Sequence, residues 1–298
     1  MRKEIDLSQL AALHAEGPAG QEKIAKQQLA IDELQEALML MVKRVRPYEV
    51  PVRSADSSIR FGLISDLHIG SLYQRADALK AFYEGLAAEG ITRVLCAGDV
   101  VDGRNVYKGQ EFELHPHGRS WPEQRDMFAD LVPKIKGMET IFISGNHDAS
   151  YKRQIGLIAG EELQRVRPDW KFIGQDVGDV VLKTKSGTPF KVRLVHPGGG
   201  TAYAISYRLQ KFIEAIPGGE KPDMVAIGHY HKAEYLPHFR NVSGFQTGTF
   251  QALTPFMASR ASAAHVGGWI VEVVMGERTK LTSRVKAEFV GFYEPQVV

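Results

Sequence analysis

Five short stretches of the 298-residue chain gather side chains that bind hard or borderline cations: Asp66-Leu67-His68, Asp99-Val100-Val101-Asp102, Asn146-His147-Asp148, His196, and His229-Tyr230-His231. Carboxylate oxygens, imidazole nitrogens and an amide oxygen suit manganese, iron, zinc or nickel. The chain has ten histidines and one cysteine, Cys96. That ratio excludes both a multi-cysteine zinc site and an internal disulfide framework. Cys96 itself is expected to be a small buried core residue. An Asp-x-His or His-x-His taken singly is ordinary surface chemistry. What lifts these five above chance is shared context, because each follows a short apolar run and sits beside glycine or in a polar turn. Asp66 and His68 are two residues apart, as are His229 and His231. Extended backbone would point both members of each pair the same way, as two ligands of one ion require.

The apolar runs that must position these residues are Phe61–Ser65, Arg93–Ala97, Thr140–Ser144, Lys191–Val195 and Met224–Ile227. Helical periodicity lies between some of them, over Ala76–Glu89, Trp121–Lys136, Gly160–Val166 and Ala202–Ile216. Continuous apolar strands alternating with helices predict an α/β fold whose sheet is covered on both faces. In such sheets the loops after the strand C-termini converge on the site. Trp269–Val274 and Arg284–Val290 read as antiparallel strands closing the sheet.

With 44% hydrophobic and 24% charged residues, the chain is an ordinary globular protein rather than a disordered one. No apolar run approaches the 18 or so residues of a membrane span, and the N-terminus lacks the apolar segment of a secretory signal. A cytoplasmic protein with no membrane partner is expected. The net charge of +2 lacks the basic excess common in strong nucleic-acid binders.

Gln21–Val45 reads as one amphipathic helix, with Ile24, Ile31, Leu34, Leu38, Met41 and Val45 on a face and Pro47 ending it. It would serve as a homodimerisation helix, as half of a helix-turn-helix, or as a helix docked on the main domain; so short a heptad run favours docking. Arg46–Ser58 reads as a linker or an extended crossing segment.

Taken in order, Asp66-x-His68, Gly98-Asp99-x-x-Asp102, Gly145-Asn146-His147-Asp148, His196 and Gly228-His229-x-His231 resemble the motif series of the calcineurin-like metallophosphoesterase superfamily. The resemblance covers about Ile59 to His231. It implies a two-sheet αββα sandwich over 51–298, with 1–50 as an N-terminal helical extension outside it. It also implies two divalent metal ions, manganese before iron, zinc or nickel. Asp66, His68 and His231 would hold one ion, Asn146, His196 and His229 the other, and Asp99 would bridge them. A water between two such cations is acidified enough to attack phosphorus as hydroxide. By the same resemblance His147 would serve the departing oxygen as a catalytic residue, Asp102 would orient His147, and Asp148 would cap its loop.

Departures narrow the substrate. Gly103 stands where the protein phosphatases of the superfamily carry arginine, and Asp148 where they carry glutamate, which argues against phosphoprotein. The stretch Gly248-Thr-Phe-Gln-Ala-Leu-Thr-Pro-Phe256 resembles the exonuclease small subunit of archaeal D-family DNA polymerases, and the His196 and His229 segments resemble phosphoesterases of phages and prophages. The expectation is a phosphodiesterase acting on DNA, a nuclease, with nucleotides or cyclic nucleotides as the alternative substrates. A non-catalytic scaffold fits poorly with the full ligand set and His147. The loop Asn105–Arg119 offers Tyr107, Lys108, His115, His117 and Arg119 either to a phosphodiester and base or simply to solvent. Tyr151-Lys152-Arg153 is expected to face solvent.

Overall fold

The computed structural model describes residues 47–51, 58–183, 189–200, 202, 204–274 and 284–293. The helix expected over Gln21–Val45, and any dimer contact through it, lie outside the described residues.

Among the described residues the strands form two six-stranded sheets. The first runs β12 (Arg284–Gly291), β11 (Gly267–Val274), β2 (Ser58–Ile64), β3 (Arg93–Cys96), β4 (Glu139–Ser144), β5 (Trp170–Gln175). The second runs β1 (Tyr48–Pro51), β6 (Val177–Lys183), β7 (Phe190–Val195), β8 (Met224–Ile227), β10 (Val242–Thr247), β9 (Ala233–Phe239). The fold is the mixed α/β two-sheet sandwich, and the expected closing strands β11 and β12 are antiparallel neighbours.

The strands at the centre are apolar on both faces, and pleating splits their side chains between two cores. Phe61, Leu63, Leu95, Ile141 and Ile143 point between the sheets and meet Val192, Leu194, Met224, Ala226 and Phe245 of the second sheet. Their neighbours Ile64, Val94, Cys96 and Phe142 point the other way. They pack under α1 (Ala76–Ala88), α2 (Trp121–Leu131) and α4 (Ala159–Val166), against Leu79, Phe82, Leu86, Phe128 and Leu163. Each sheet is thus covered by the other sheet on one face, and the first sheet by helices on its other face, as the two-sheet expectation required. Cys96 is fully buried, and burial pushes its thiol well above the ordinary range. Helix α2 stops at Leu131, before the expected Lys136, because Pro133 cannot continue it. The second sheet carries α5 (Tyr207–Ala215) on its outer face, where Leu209 and Ile213 are buried. Tyr48–Pro51 is no free linker, since it pairs in parallel with β6 at the sheet edge. Helix α3 (Ala149–Ile155) and strands β5, β6, β9 and β10 had no distinct apolar signal in the sequence.

Candidate metal centre

The parallel strands β2, β3, β4 and β8, together with β7, end on one edge of the sandwich, and every candidate ligand follows one of these ends. The chain then leaves ordinary strand geometry. Asp66 (φ 54°), His68 (φ 47°), Asp99 (φ 50°), His229 (φ 77°) and His231 (φ 54°) all adopt left-handed backbone conformations. Such conformations cost about 1–3 kcal/mol each in a non-glycine residue and persist only where the surroundings enforce them. Here the tips enforce one another. Asp66 N donates to Gly98 O (2.9 Å), Leu67 N to Asp99 O (2.8 Å) and Ile69 N to Val100 O (3.0 Å). Phe250 N and Thr249 Oγ1 both donate to Asp66 O at 2.9 Å. Gly98 (φ +94°) and Gly145 are required by close approach. A Cβ on Gly98 would lie 2.6 Å from His196 Nδ1, and one on Gly145 would lie 2.2 Å from Asp99 Oδ1.

Two donor groups result. Asp66, His68 and His231 bring one ligand atom each to within 4.8 Å of one another, and Asp99, His196 and His229 do the same. Asn146 joins the second group, with Oδ1 3.1 Å from His196 Nε2 and 2.9 Å from His229 Nδ1. Three of the histidines use one ring nitrogen as an anchoring donor and turn the other inward. His68 Nδ1 donates to Asp102 Oδ1 (2.9 Å), His196 Nδ1 to Ala97 O (2.7 Å) and His229 Nε2 to Gly199 O (2.8 Å). This is how proteins fix the tautomer and aim of metal-binding histidines.

The residues fit cations. The inward nitrogens of His68 and His231 face each other at 3.1 Å, an approach that two lone pairs tolerate only with a proton or a cation between them. The inward His231 Nε2 also lies 3.4 Å from Asp66 Oδ1, so a carboxylate and two imidazole nitrogens converge on one point. Electrostatics agree. Burial works against ionising Asp99, but His196 and His147 override it and hold the carboxyl well below its usual range. Burial likewise opposes charge on His196, yet Asp99 raises its pKa to about 10. Burial, with His196 adding to it, drives His229 down to about 4 and keeps its ring neutral, with a lone pair to donate. Asp148 is pushed up to about 7 by burial and by Asp99. Its oxygens accept from the amides of Val100 (3.2 Å), Val101 (2.9 Å) and Gly145 (2.8 Å), tying the β3 and β4 tips together.

Three expectations change in detail. Asp66 and His68 do converge, but through left-handed turns rather than an extended pleat. His229 and His231 do not share a side, because each joins a different donor group. Asp102 turns its carboxylate to His68. It meets His147 through its backbone, with His147 Nδ1 donating to Asp102 O at 2.6 Å while Oδ1 stays 3.7 Å away. His147 also lies within ligand reach of His68 and Asp99.

Sequence reasoning missed Gln110, which is 1% exposed and donates to both Asp102 O (2.8 Å) and Asp102 Oδ2 (3.0 Å). It also missed Gln124, whose amide holds Gly103 and Gly118. Glutamine at these positions carries no motif signal. From the Asn105–Arg119 loop, Val106 and Tyr107 reach the site, whereas Lys108, His117 and Arg119 are exposed and do not line it. Tyr151 does not face solvent. It is buried edge-on to Trp121 (centroids 5.1 Å apart), and Arg153 bonds Asn146 O.

His68, Asp99, Asn146, His229 and His231 line a cavity of about 680 Å³, together with Tyr107, Phe256, Met257 and Arg260. Phe256 and Arg260 belong to or adjoin α6 (Pro255–Ser259), whose N-terminus is capped by Thr254 Oγ1 accepting from Met257 N (3.2 Å).

Comparison with known proteins agrees with this geometry. The family model described as calcineurin-like phosphoesterase matches residues 59–234, more than half of the chain. The DNA polymerase II small subunit of Halobacterium salinarum is 31% identical over 239 residues, covering 69% of this chain and 46% of that protein. The protein of the same name from Pyrococcus furiosus is 30% identical over 241 residues, covering 65% and 38%. The chain therefore spans less than half the length of these relatives. Among solved structures, zinc-bound Vps29 from Entamoeba histolytica superposes with a TM-score of 0.38 at 16% identity, covering 79% of this chain and 100% of that one. That superposition is too loose to carry weight.

Proposed function

The chain belongs to the calcineurin-like phosphoesterase family, and from that premise we propose that it is a phosphodiesterase that cuts DNA with two divalent cations, manganese by preference. Asp66, His68 and His231 hold one cation, Asn146, His196 and His229 the other, and Asp99 lies between the two groups. When bound, the cation pair acidifies an attacking water and neutralises charge on the phosphoryl oxygens. The chain's own residues do the rest. Asp102 aims His68, and backbone carbonyls aim His196 and His229. The bond from His147 Nδ1 to Asp102 O leaves Nε2 as the atom that gives a proton to the departing oxygen.

The observation that supports the reaction class is the adjacency of the donor groups, with Asp99 within ligand reach both of His196 and His229 and of His68 and His147. DNA is favoured over smaller esters because the relatives are, by name, DNA polymerase small subunits. A chain of net charge +2 would then hold DNA weakly by itself, and a polymerase partner would present the strand. A manganese-supplemented assay tests this. Single-stranded DNA is degraded by the wild type and not by His147→Ala, while bis-p-nitrophenyl phosphate and cyclic nucleotides are poor substrates. Turnover of the small esters with DNA left intact would make the protein a small-molecule phosphoesterase.

A further inference from the structure

Part of the cavity wall beside the donor groups is built as one layered unit. The rings of Tyr107 and Phe256 stack at 4.1 Å and 26°, and the guanidinium of Arg260 lies 4.6 Å from the Phe256 ring centroid. One buried carboxylate clamps the stack from behind. Glu113, 6% exposed, accepts from the Tyr107 hydroxyl through Oε2 (2.8 Å) and from Phe256 N through Oε1 (2.8 Å). The two rings come from distant parts of the chain, and this carboxylate bonds to both segments. Tyr107 also reaches the reaction site, its ring 6.0 Å from that of His147. Arg260 is exposed, is the one Arg or Lys among the described residues lining the cavity, and has no ion pair among the described residues.

Rigid aromatic rings beside a guanidinium that has no ion pair among the described residues suit a ligand with a flat π-face and a neighbouring negative charge. A nucleotide unit has both. Resting on the nuclease reading above, we propose that Tyr107, Phe256 and Arg260 form a nucleotide subsite: the rings take the base next to the phosphate being cut, and Arg260 takes a flanking phosphate. Such a platform accepts any base, because every base offers a π-face. It also makes the metal centre selective for strands whose bases are unpaired. Glu113 is a positioning residue for the platform.

Binding tests the subsite separately from cleavage. The full chain, loaded with manganese, is titrated against a fluorescent single-stranded oligothymidylate with phosphorothioate linkages and against the same strand with abasic sites, and anisotropy is read. The wild type binds the base-bearing strand about tenfold more tightly than the abasic one. Phe256→Ala removes that preference and Phe256→Trp keeps it. Arg260→Ala, at an exposed position, weakens both strands alike and flattens the salt dependence by about 0.7 in log–log slope. Equal binding of the two strands by the wild type would overturn the subsite, as would an unchanged preference in Phe256→Ala. Cleavage of the natural strand is measured in parallel. Base-dependent binding without cleavage sinks the nuclease reading and leaves the subsite, whereas cleavage without base dependence sinks the subsite alone.

Discussion

Ile64 and Asp66 stand two residues apart and obey different physics. Ile64 ends β2 with extended backbone and a fully buried side chain, paired in register with Cys96 across a parallel ladder. Asp66 is equally buried, but it turns through left-handed backbone with its carboxylate toward His231. The same contrast recurs at the tips of β3 and β8. The strands are a relaxed scaffold stabilised by apolar burial, and the tips are locally strained segments held only by their neighbours. It follows that strand and tip should fail separately. Damage at a tip should remove metal or chemistry and spare the fold, whereas damage in the sandwich should cost stability and leave the chemistry of the surviving folded protein intact.

The largest effect is expected at Asp99, the proposed bridge between the two cations. Removing one preorganised electrostatic group costs about a hundred- to a thousandfold in rate, so Asp99→Asn should lose at least the upper end of that range. Its thermal midpoint should stay close to that of the wild type. His147→Ala should lose roughly a hundredfold or more with bound metal unchanged in a metal-to-protein assay. A fall in metal content would instead make His147 a ligand, which its distance from His68 and Asp99 permits.

The sandwich supplies the opposite case. Asp179 on β6 pairs with Arg193 on β7 (Arg193 Nε to Oδ1 2.7 Å, Nη2 to Oδ2 2.9 Å), and both are largely buried. Asp179→Asn leaves a buried guanidinium unpaired and should cost roughly 3 kcal/mol of stability, read by denaturant unfolding, with kcat unchanged. Burial opposes ionisation of Asp179, but Arg193 and Lys191 outweigh it and hold the carboxyl below its usual range. Its folded pKa is therefore depressed. The pair's contribution is full above about pH 4, near the unfolded carboxyl value, and is lost as pH falls through the lower folded value. The wild type should thus lose more stability than Asp179→Asn on acidification below pH 4; parallel acid-unfolding curves would show that the pair contributes nothing.

The smallest effect is expected at Gln110, behind the tips. Gln110→Ala frees Asp102, and through it His68, so metal affinity should fall by about tenfold. The loss should be confined to the group of Asp66, His68 and His231. An equal loss in both groups would mean that Gln110 supports the whole loop.

The same contrast decides what could be read in advance. The strand cores Arg93–Cys96 and Met224–Ile227 were legible because a short apolar run bounded by polar turns fits a buried strand and little else. Strands β5, β6, β9 and β10 were not, since Trp170–Gln175 and Ala233–Phe239 mix half-buried polar positions with apolar ones. At the tips, residue type and order marked seven candidate ligands, and all seven lie in or beside the two donor groups. Their geometry was hidden. A spacing of two implied an extended pair, and left-handed backbone at Asp66, His68, His229 and His231 reversed that inference. Glu113 and Phe256 meet across most of the chain, and Gln110 reaches back to Asp102 within an irregular loop, so local pattern holds no signal for either contact.

A paired cation centre organised by Asp99 is tested most directly by the number of metal ions per chain. Protein loaded with manganese and freed of excess metal is expected to carry two ions per chain by native mass spectrometry, and Asp99→Asn one or none. Two ions retained by Asp99→Asn, or one ion in the wild type, would contradict it.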